Sequence, residues 1–218
     1  MARAAQRKVA KRAGATSRHG SRLAQGAARR QAILTAALDE FSRRGFAAAR
    51  LDDVARRANV AKGTIYLYFK GKEALFQELV LSELTPVVGA LEAALASDLP
   101  LRVIIDRATE LFVREVYGTH RKQIIRLIIS EGPRFPALAE FYYREVIARI
   151  FKAVRARLTV ARARGEVADD TLVRFPQLMG AGFVLAVVWH GLFERFEPLD
   201  VAAMARAYFD RLLGARPS

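Results

Sequence analysis

The sequence predicts an all-α fold with about nine helices. Apolar residues recur three or four positions apart along most of the 218 residues, which is the period of an amphipathic helix. No segment alternates polar and apolar residues in the way that a half-buried strand does. Glycine or proline also falls at most interruptions of the helical period, where helices are expected to end. Together these patterns indicate an N-terminal three-helix helix-turn-helix domain followed by a larger helical domain.

The composition is that of a globular protein without disulfides or thiolate metal sites. Apolar residues make up 52% of the chain and cysteine is absent, which allows a substantial core and fits a reducing compartment. No apolar run reaches the roughly 18 residues of a membrane-spanning helix, and the longest candidate, Met179 to Trp189, is too short. The N-terminus also lacks the apolar core of a secretory signal. We therefore expect a cytoplasmic protein that does not enter a membrane.

The positive charge is concentrated in the first third of the chain. The net charge is +14, and residues 1–30 contain nine lysines and arginines and no acidic residue. Residues 31–72 contain eight basic and four acidic residues, whereas residues 73–218 contain nineteen and eighteen. Such a field attracts a polyanion such as nucleic acid. Residues 1–24 lack apolar periodicity, so we expect a disordered basic arm there. The alternative is a solvated tail without a binding role.

Residues 25–72 carry the pattern of a helix-turn-helix domain. A first helix is expected at 25–44, with Gly45 just past its C-terminus, and its buried stripe is Ile33, Leu34, Ala37, Leu38 and Phe41. Two short helices then follow, separated by a turn at Asn59-Val60. In the second of them Ile65 and Phe69 face inward, which leaves outward Lys62, Gly63, Thr64, Tyr66 and Tyr68. A short helix with such a cationic, hydroxyl-bearing and aromatic surface suits the DNA major groove.

The motif Gly63-Thr64-Ile65-Tyr66-Leu67-Tyr68-Phe69 resembles the DNA-binding domain of TetR/AcrR-type transcriptional repressors. The resemblance extends from about Arg29 to Leu81, roughly a quarter of the chain. Arg50 and Ala61 depart from the family pattern, which has hydroxyl residues at these two helix caps. The resemblance implies DNA contacts from Arg50, Lys62, Gly63, Thr64, Tyr66, Tyr68, Lys70 and Lys72.

Residues 73–218 are expected to form a helical domain, to which the resemblance assigns effector binding and dimerisation. A helix from about Gly71 to Ala96 links it to the helix-turn-helix and should kink at Pro86. The breaks after it predict helices at 100–117, 119–131, 136–164, 169–194 and 199–213. The stretch from Ile128 to Pro136 resembles the C-terminal domain of an AefR-type subgroup, which identifies no ligand.

The predicted helix at 169–194 is apolar on nearly all sides, which exceeds what the core of one domain requires. An ordinary core and a two-fold interface shared with the helix at 199–213 are both compatible with this pattern. The resemblance implies the interface, since such repressors dimerise through a four-helix bundle and two half-sites need two DNA-binding domains. The candidate interface residues are Phe175, Met179, Gly182, Ala186, Met204, Tyr208 and Leu212.

Aromatic and a few polar side chains converge on the middle helices, as they do in small-molecule sites. Each of these residues also fits an ordinary core. The candidate ligand-binding residues are Phe112, Tyr117, Arg126, Phe135, Phe141, Tyr142, Phe183 and Trp189.

No catalytic or metal-binding pattern is present in the sequence. The three histidines, His19, His120 and His190, are scattered along the chain. His190 and Glu194 have the spacing of an acid–base pair, but also that of a hydrogen bond on a helix surface. We therefore expect no enzyme activity, no cofactor and no metal.

The resulting hypothesis is a homodimeric repressor that binds a palindromic DNA operator and is released by a small, mostly apolar effector of unknown identity. Two alternatives remain open. One is a sequence-indifferent nucleic-acid-binding protein that uses its basic arm, and the other is a helical enzyme or carrier.

Overall fold

The computed structural model describes residues 2–213, and it describes side chains from residue 24 onward. The described residues form helices and contain no β-strand, which confirms the predicted all-α fold. Two helices include a π-helical segment, at Phe112–Tyr117 after α5 and at Tyr143–Ile147 between α7 and α8. The helices are α1 (Ala2–Ala48), α2 (Leu51–Arg57), α3 (Lys62–Tyr68), α4 (Lys72–Leu95), α5 (Leu101–Leu111), α6 (Lys122–Glu131), α7 (Pro136–Tyr142), α8 (Ala148–Ala163), α9 (Thr171–Arg174), α10 (Leu178–Leu192) and α11 (Val201–Leu213).

The first helix is interrupted at a glycine, as its sequence predicts. Gly45 has φ +74°, a left-handed conformation that glycine adopts without the steric cost of a Cβ. The predicted arm at 1–24 falls on the first part of α1. The side chains there lie outside the described residues up to position 23, so the disorder of the arm stays a prediction.

The turn between α2 and α3 is a Schellman motif. Asn59 has φ +52°, which asparagine tolerates better than most residues. The amide of Val60 donates to the carbonyl of Ala55 at 3.0 Å, and the amide of Asn59 donates to that of Arg56 at 3.2 Å. Val60 then packs its side chain on the core. These contacts fix where α3 begins relative to α2.

An aromatic cluster joins the helix-turn-helix to the rest of the molecule. Phe41, Phe46 and Phe76 are buried, with ring centroids 5.4 to 6.3 Å apart. Phe135 packs edge-on against Phe46 at 5.0 Å, and Leu127 of α6 is buried in the same core. This first core therefore crosses the predicted domain boundary after residue 72, and that boundary stays a prediction.

Helix α4 runs through two hydrophobic cores. Its first half lies in the first core, and its second half joins a second core with α5, α8 and α11. By length and composition α4 is long and apolar enough to cross a membrane, although the core helix of a soluble protein passes the same test. The expectation that no segment reaches this length was therefore wrong. The buried residues of α4 face the two cores.

The predicted helix at 169–194 is broken in the structure. Helix α9 ends at Arg174 and α10 begins at Leu178, with Pro176 between them. Proline cannot donate the backbone hydrogen bond of a helix interior, and its ring clashes with the preceding turn. The prediction of one continuous helix was wrong because it overlooked this proline.

Candidate functional site

The outward surface of α3 is exposed, as a helix that enters a DNA groove requires. We define the α3 face as Lys62, Gly63, Thr64, Tyr66 and Tyr68. Ile65 is fully buried beneath this face, whereas Leu67 beside it is 82% exposed. Tyr66 and Tyr68 are 53% and 36% exposed, and Thr64 is half-buried. The structure thus brings five of the predicted DNA-binding residues together on one surface.

Lys62 is held by a carboxylate at the edge of the α3 face. Its Nζ lies 2.9 Å from Asp52 Oδ1 and donates to Oδ2 at 3.1 Å. Both side chains are more than half exposed. The hydrogen bond to Asp52 and the charge of that carboxylate raise the pKa of Lys62. The ammonium must leave or share Asp52 to reach a base or a phosphate.

Gly63 and Tyr68 differ in how close other parts of the protein lie to them. A Cβ placed on Gly63 would meet no atom within 4 Å, so a partner can approach the backbone closely there. A Cβ placed on Gly26 of α1 would lie 3.8 Å from the hydroxyl of Tyr68. Tyr68 therefore lies against α1, at the part of that helix that follows the basic N-terminal residues.

The three remaining predicted DNA contacts have different environments. Lys70 and Arg50 are exposed, and Arg50 occupies the N-cap position of α2 without a capping bond from its side chain. Lys72 Nζ instead donates to the carbonyls of Ala47 at 2.9 Å and Ala49 at 3.3 Å. These bonds tie the start of α4 to the end of α1. They leave one of the three ammonium hydrogens for a phosphate.

A buried carboxylate positions two arginines beside this surface. Glu40 is fully buried, accepts a hydrogen bond from Arg57 Nε at 3.0 Å, and lies 3.1 Å from Arg44 Nε. An unpaired carboxylate would be costly at this depth, and of the two cations that pair with it, Arg57 belongs to α2 and so links α2 to α1. The only sequence signal for this cluster is the four-residue spacing of Glu40 and Arg44.

The C-terminal part of the molecule contains a cavity of about 620 Å³. This volume falls within the range of sites for drug-sized ligands. Aliphatic and aromatic side chains from α4, α5, α8, α10 and both π-helical segments form most of its wall. Burial raises the pKa of Tyr142 on this wall to about 12, so its phenol is neutral at physiological pH. Among the described wall residues, Arg157 alone carries a charge. The cavity therefore suits a mostly apolar ligand.

The predicted ligand-binding residues divide into two groups. Phe112, Tyr142 and Phe183 lie on the cavity wall. Phe135 and Phe141 lie in or against the first core instead, because α7 packs this side against the helix-turn-helix. Their aromatic character serves the core and not the cavity.

The other three predicted ligand residues contact the end of α10 and the loop after it. The hydroxyl of Tyr117 donates to Glu194 at 3.2 Å, and Trp189 Nε1 donates to the carbonyl of Glu197 at 2.8 Å. Arg126 packs its guanidinium against the backbone of α10. None of the three lies on the cavity wall.

The His190–Glu194 pair spans the C-terminal end of α10 at a spacing of four residues, and both side chains are half-buried. His190 Nδ1 is 3.5 Å from Glu194 Oε2, the oxygen that also accepts the hydrogen bond from Tyr117. No group of three or more His, Asp or Glu side chains that could hold a metal ion occurs within the described range.

Helix α10 and its two flanking loops present exposed apolar residues. We define the α10 face as the large apolar residues there that are 44–69% exposed, namely Phe175, Val184, Leu185, Leu192, Phe193 and Phe196. Large exposed apolar patches on soluble proteins mark interaction sites. The α10 face is therefore a candidate contact surface.

The predicted interface residues are divided between this face and the interior. Phe175 is exposed, Ala186 is buried, and the other five are half-buried, namely Met179, Gly182, Met204, Tyr208 and Leu212. A Cβ placed on Gly182 would lie 3.6 Å from the ring of Tyr208, so these two residues pack α10 on α11 within one chain. Met179 also lines the cavity.

Two segments of the chain match models of known families. Residues 33–79 match the model described as bacterial regulatory proteins, tetR family. Residues 101–174 match the AefR-like transcriptional repressor, C-terminal domain. The first segment contains α2 and α3, and the second contains much of the cavity wall.

The relatives with curated names are HTH-type transcriptional regulators. The chain is 35% identical over 127 residues to YhgD of Bacillus subtilis. This match covers 58% of this chain and 63% of that protein, just under two thirds of its length. The chain is 31% identical over 103 residues to TtgW of Pseudomonas putida. This second match covers 47% of this chain and 74% of that protein.

A solved structure shows the same fold. The transcriptional regulator FadR from Bacillus subtilis, in complex with stearoyl-CoA, matches with a TM-score of 0.68 at 18% identity. The match covers 86% of this chain and 99% of that one.

Proposed function

Because this chain belongs to the TetR family of bacterial regulatory proteins, we propose that it is a homodimeric repressor with an effector-controlled affinity for a palindromic operator. A small, mostly apolar effector fills the cavity and weakens operator binding. The observation that carries this proposal is the exposed α3 face together with the apolar cavity. Helices that line this cavity also pack in the core that contains α1. The family consists of transcriptional regulators and not of enzymes. We place the protein in the cytoplasm, with its operator DNA.

In the proposed complex, each subunit inserts its α3 face into the major groove. Lys62 contacts guanine, and the methyl group of Thr64 contacts the methyl group of thymine. Gly63 lets the backbone approach the base edges. Phosphate contacts position the helix and come from Arg50, Tyr66, Tyr68, Lys70 and Lys72.

Helices of the cavity wall also hold the DNA-binding domain in place. Ile125 of α6 lines the cavity, while the adjacent Ile124 is buried in the first core. At its C-terminus α6 reaches the end of α1, where a Cβ on Gly45 would lie 2.5 Å from Glu131 Oε1. An effector that displaces α6 therefore shifts α1 as well. In a dimer, this shift changes the distance between the two α3 faces.

The proposed dimer pairs the α10 face of one subunit with that of the other. An isologous two-fold contact relates the two α3 faces by the same symmetry that relates the half-sites of a palindromic operator. The two half-sites are then separated by about one helical turn of DNA, roughly 34–36 Å, or a multiple of it.

The cavity wall supports an apolar effector. The FadR structure of the same fold holds stearoyl-CoA, a ligand with a long apolar chain. The similarity to FadR concerns the fold alone, so the argument for this chain rests on its own aliphatic and aromatic wall.

Two measurements test the proposal. Selection of bound sites from random DNA is expected to return a dyad-symmetric operator. An effector that binds the cavity is then expected to weaken operator binding, and operator DNA must weaken effector binding by the same factor. A cavity ligand that leaves operator affinity unchanged would contradict the regulatory part of the proposal.

The basic N-terminal residues favour a second candidate function, sequence-indifferent nucleic-acid binding. Nine lysines and arginines lie in residues 1–30, without an acidic residue. Deletion of residues 1–24 separates the two candidates. A repressor keeps its preference for the operator over random DNA and shows a shallower salt dependence. A sequence-indifferent binder that depends on these residues loses binding altogether.

A further inference from the structure

We propose that the cavity binds an amphiphile with an extended apolar chain and a hydrogen-bond-accepting head group, a carboxylate or a carbonyl, and that Arg157 recognises the head group. This inference rests on the proposed function. It adds the chemical class of the effector and the residue that distinguishes its polar end.

Arg157 is a buried arginine with unused hydrogen-bond donors. It is 3% exposed, and its Nη2 donates to the carbonyl of Leu99 at 2.7 Å and to the Glu166 carboxylate at 3.1 and 3.2 Å. Its Nε and Nη1 are buried and have no hydrogen-bond partner in the described structure. A buried donor without a partner is energetically costly, because it has lost its hydrogen bonds to water. An acceptor brought by a ligand would remove that cost.

Arg157 lies toward one end of an elongated wall. Helix α4 lines the cavity from Leu84 to Leu95, which corresponds to about 16 Å along a helix axis. Leu95 belongs to the second core together with Leu158, the neighbour of Arg157. Leu84 belongs to the first core together with Tyr142, which also lines the cavity. A chain whose head group contacts Arg157 would therefore extend toward Tyr142 along an apolar wall.

The available groups favour a head group that accepts hydrogen bonds. Every polar hydrogen of an arginine is a donor, and a guanidinium has no acceptor to offer an amine. Glu166 balances the charge of Arg157, and one of its oxygens also accepts a hydrogen bond from the amide of Leu101. The pair thus offers donors without a large net charge. A carboxylate and a neutral carbonyl both fit such a site, whereas a cationic head group does not.

Three ligands with the same chain test this inference on the full-length protein. They are dodecanoic acid, its methyl ester and dodecylamine, titrated by calorimetry below their critical micelle concentrations. The acid and the ester are expected to bind, and the amine is expected to bind about tenfold or more weakly, since it cannot accept from Arg157. Equal affinity of all three ligands would show that the chain alone is recognised and would overturn the inference. Binding by none of them would overturn it as well.

Two variants assign the preference to Arg157. In Arg157→Met and Arg157→Gln, the acid-to-amine ratio of affinities is expected to fall to within about threefold, because both variants lose the guanidinium cation and glutamine offers an amine an acceptor oxygen. Arg155→Met removes an exposed arginine from the same helix and is expected to keep the full ratio. Circular dichroism melting shows which variants fold. Arg157→Gln keeps an amide donor for the Leu99 carbonyl or Glu166 and carries the test if Arg157→Met does not fold. A folded variant with an unchanged ratio would overturn the assignment.

Operator binding distinguishes the failure of this inference from failure of the proposed function. If no ligand of the series binds but a selected operator does, the inference fails and the repressor proposal stands. If ligand preference depends on Arg157 but operator affinity does not change, the head-group site stands and the regulatory role fails.

Discussion

At the scale of single residues, Gly45 and Gly63 are glycines for different reasons. Gly45 has φ +74°, and Glu131 occupies the space that its Cβ would need. Gly63 lies within α3, and a Cβ there would meet nothing within 4 Å. The fold therefore requires glycine at position 45 but not at position 63. In the proposed complex, glycine at position 63 lets the DNA approach the backbone closely.

This difference predicts that Gly63→Ala separates DNA binding from folding. We expect an unchanged or slightly higher melting temperature, because a helix favours alanine over glycine, by up to about 1 kcal/mol in its interior, and Gly63 lies in the first turn of α3. We expect operator binding to weaken about tenfold, because the methyl group keeps the backbone from the base edges. Fluorescence anisotropy with the selected operator measures the affinity. Gly89→Ala, at an equally open position in α4, is the control and should not change it. Wild-type affinity of Gly63→Ala would remove Gly63 from the DNA interface.

The Lys62–Asp52 pair leads to a second prediction at this scale. Asp52→Asn is expected to tighten DNA binding about two- to fivefold at low salt, because the ammonium no longer has to leave a carboxylate. The difference should shrink as salt rises, since both side chains are more than half exposed. Titrations at several salt concentrations measure it, with Glu140→Gln, an exposed carboxylate on α7, as the control. Weaker binding would instead show that Asp52 orients Lys62 for its contact.

At the scale of helices, the sequence predicts the α3 face better than the cavity wall. Helix α3 has one narrow buried side, formed around Ile65, so its remaining side chains must face outward. The helices around the cavity are apolar on more than one side. Periodicity alone does not show which apolar side meets a core and which meets a cavity, so Phe135 and Phe112 look equivalent in the sequence.

The π-helical segments are a second reason why the wall was predicted only in part. An extra residue in one turn shifts all later side chains around the helix. Phe112 and Val116 in one segment, and Val146 and Ile147 in the other, line the cavity. No glycine or proline within either segment marks such a shift in the sequence.

Helix α6 packs on both α1 and α10, and its contact with α1 can be tested at Gly45, with Gly165 as a reference. Gly45 and Gly165 both have a positive φ, at +74° and +72°, but a Cβ meets Glu131 only at Gly45. We expect Gly165→Ala to lower the free energy of unfolding by about 1–2 kcal/mol, the cost of the left-handed conformation. Gly45→Ala should lower it further, because its ψ of +166° lies in a region that is nearly restricted to glycine and because the Glu131 side chain must also move. Urea denaturation measures both values. If both variants lose the same free energy of unfolding, Glu131 and α6 move aside without a measurable energetic cost.

At the scale of the whole molecule, the cavity and the proposed dimer surface share one helix. Val184 lines the cavity and is also 50% exposed on the α10 face. A partner subunit packed on this face would therefore cover one side of the cavity wall. Ligand binding and subunit arrangement are coupled in such a dimer because α10 contributes to both.

The dimer proposal predicts that Leu185→Glu separates the subunits. Leu185 is 52% exposed, so a carboxylate there can remain hydrated in an isolated subunit but would be buried without a partner in the proposed interface. Sedimentation velocity should show a monomer, and operator affinity should fall about 100-fold or more, because two linked half-site contacts become independent. Val160→Glu changes an apolar residue on α8 that is 42% exposed and should leave a dimer with wild-type affinity. A dimeric Leu185→Glu variant would place the interface elsewhere, and the coupling through α10 would lose its basis.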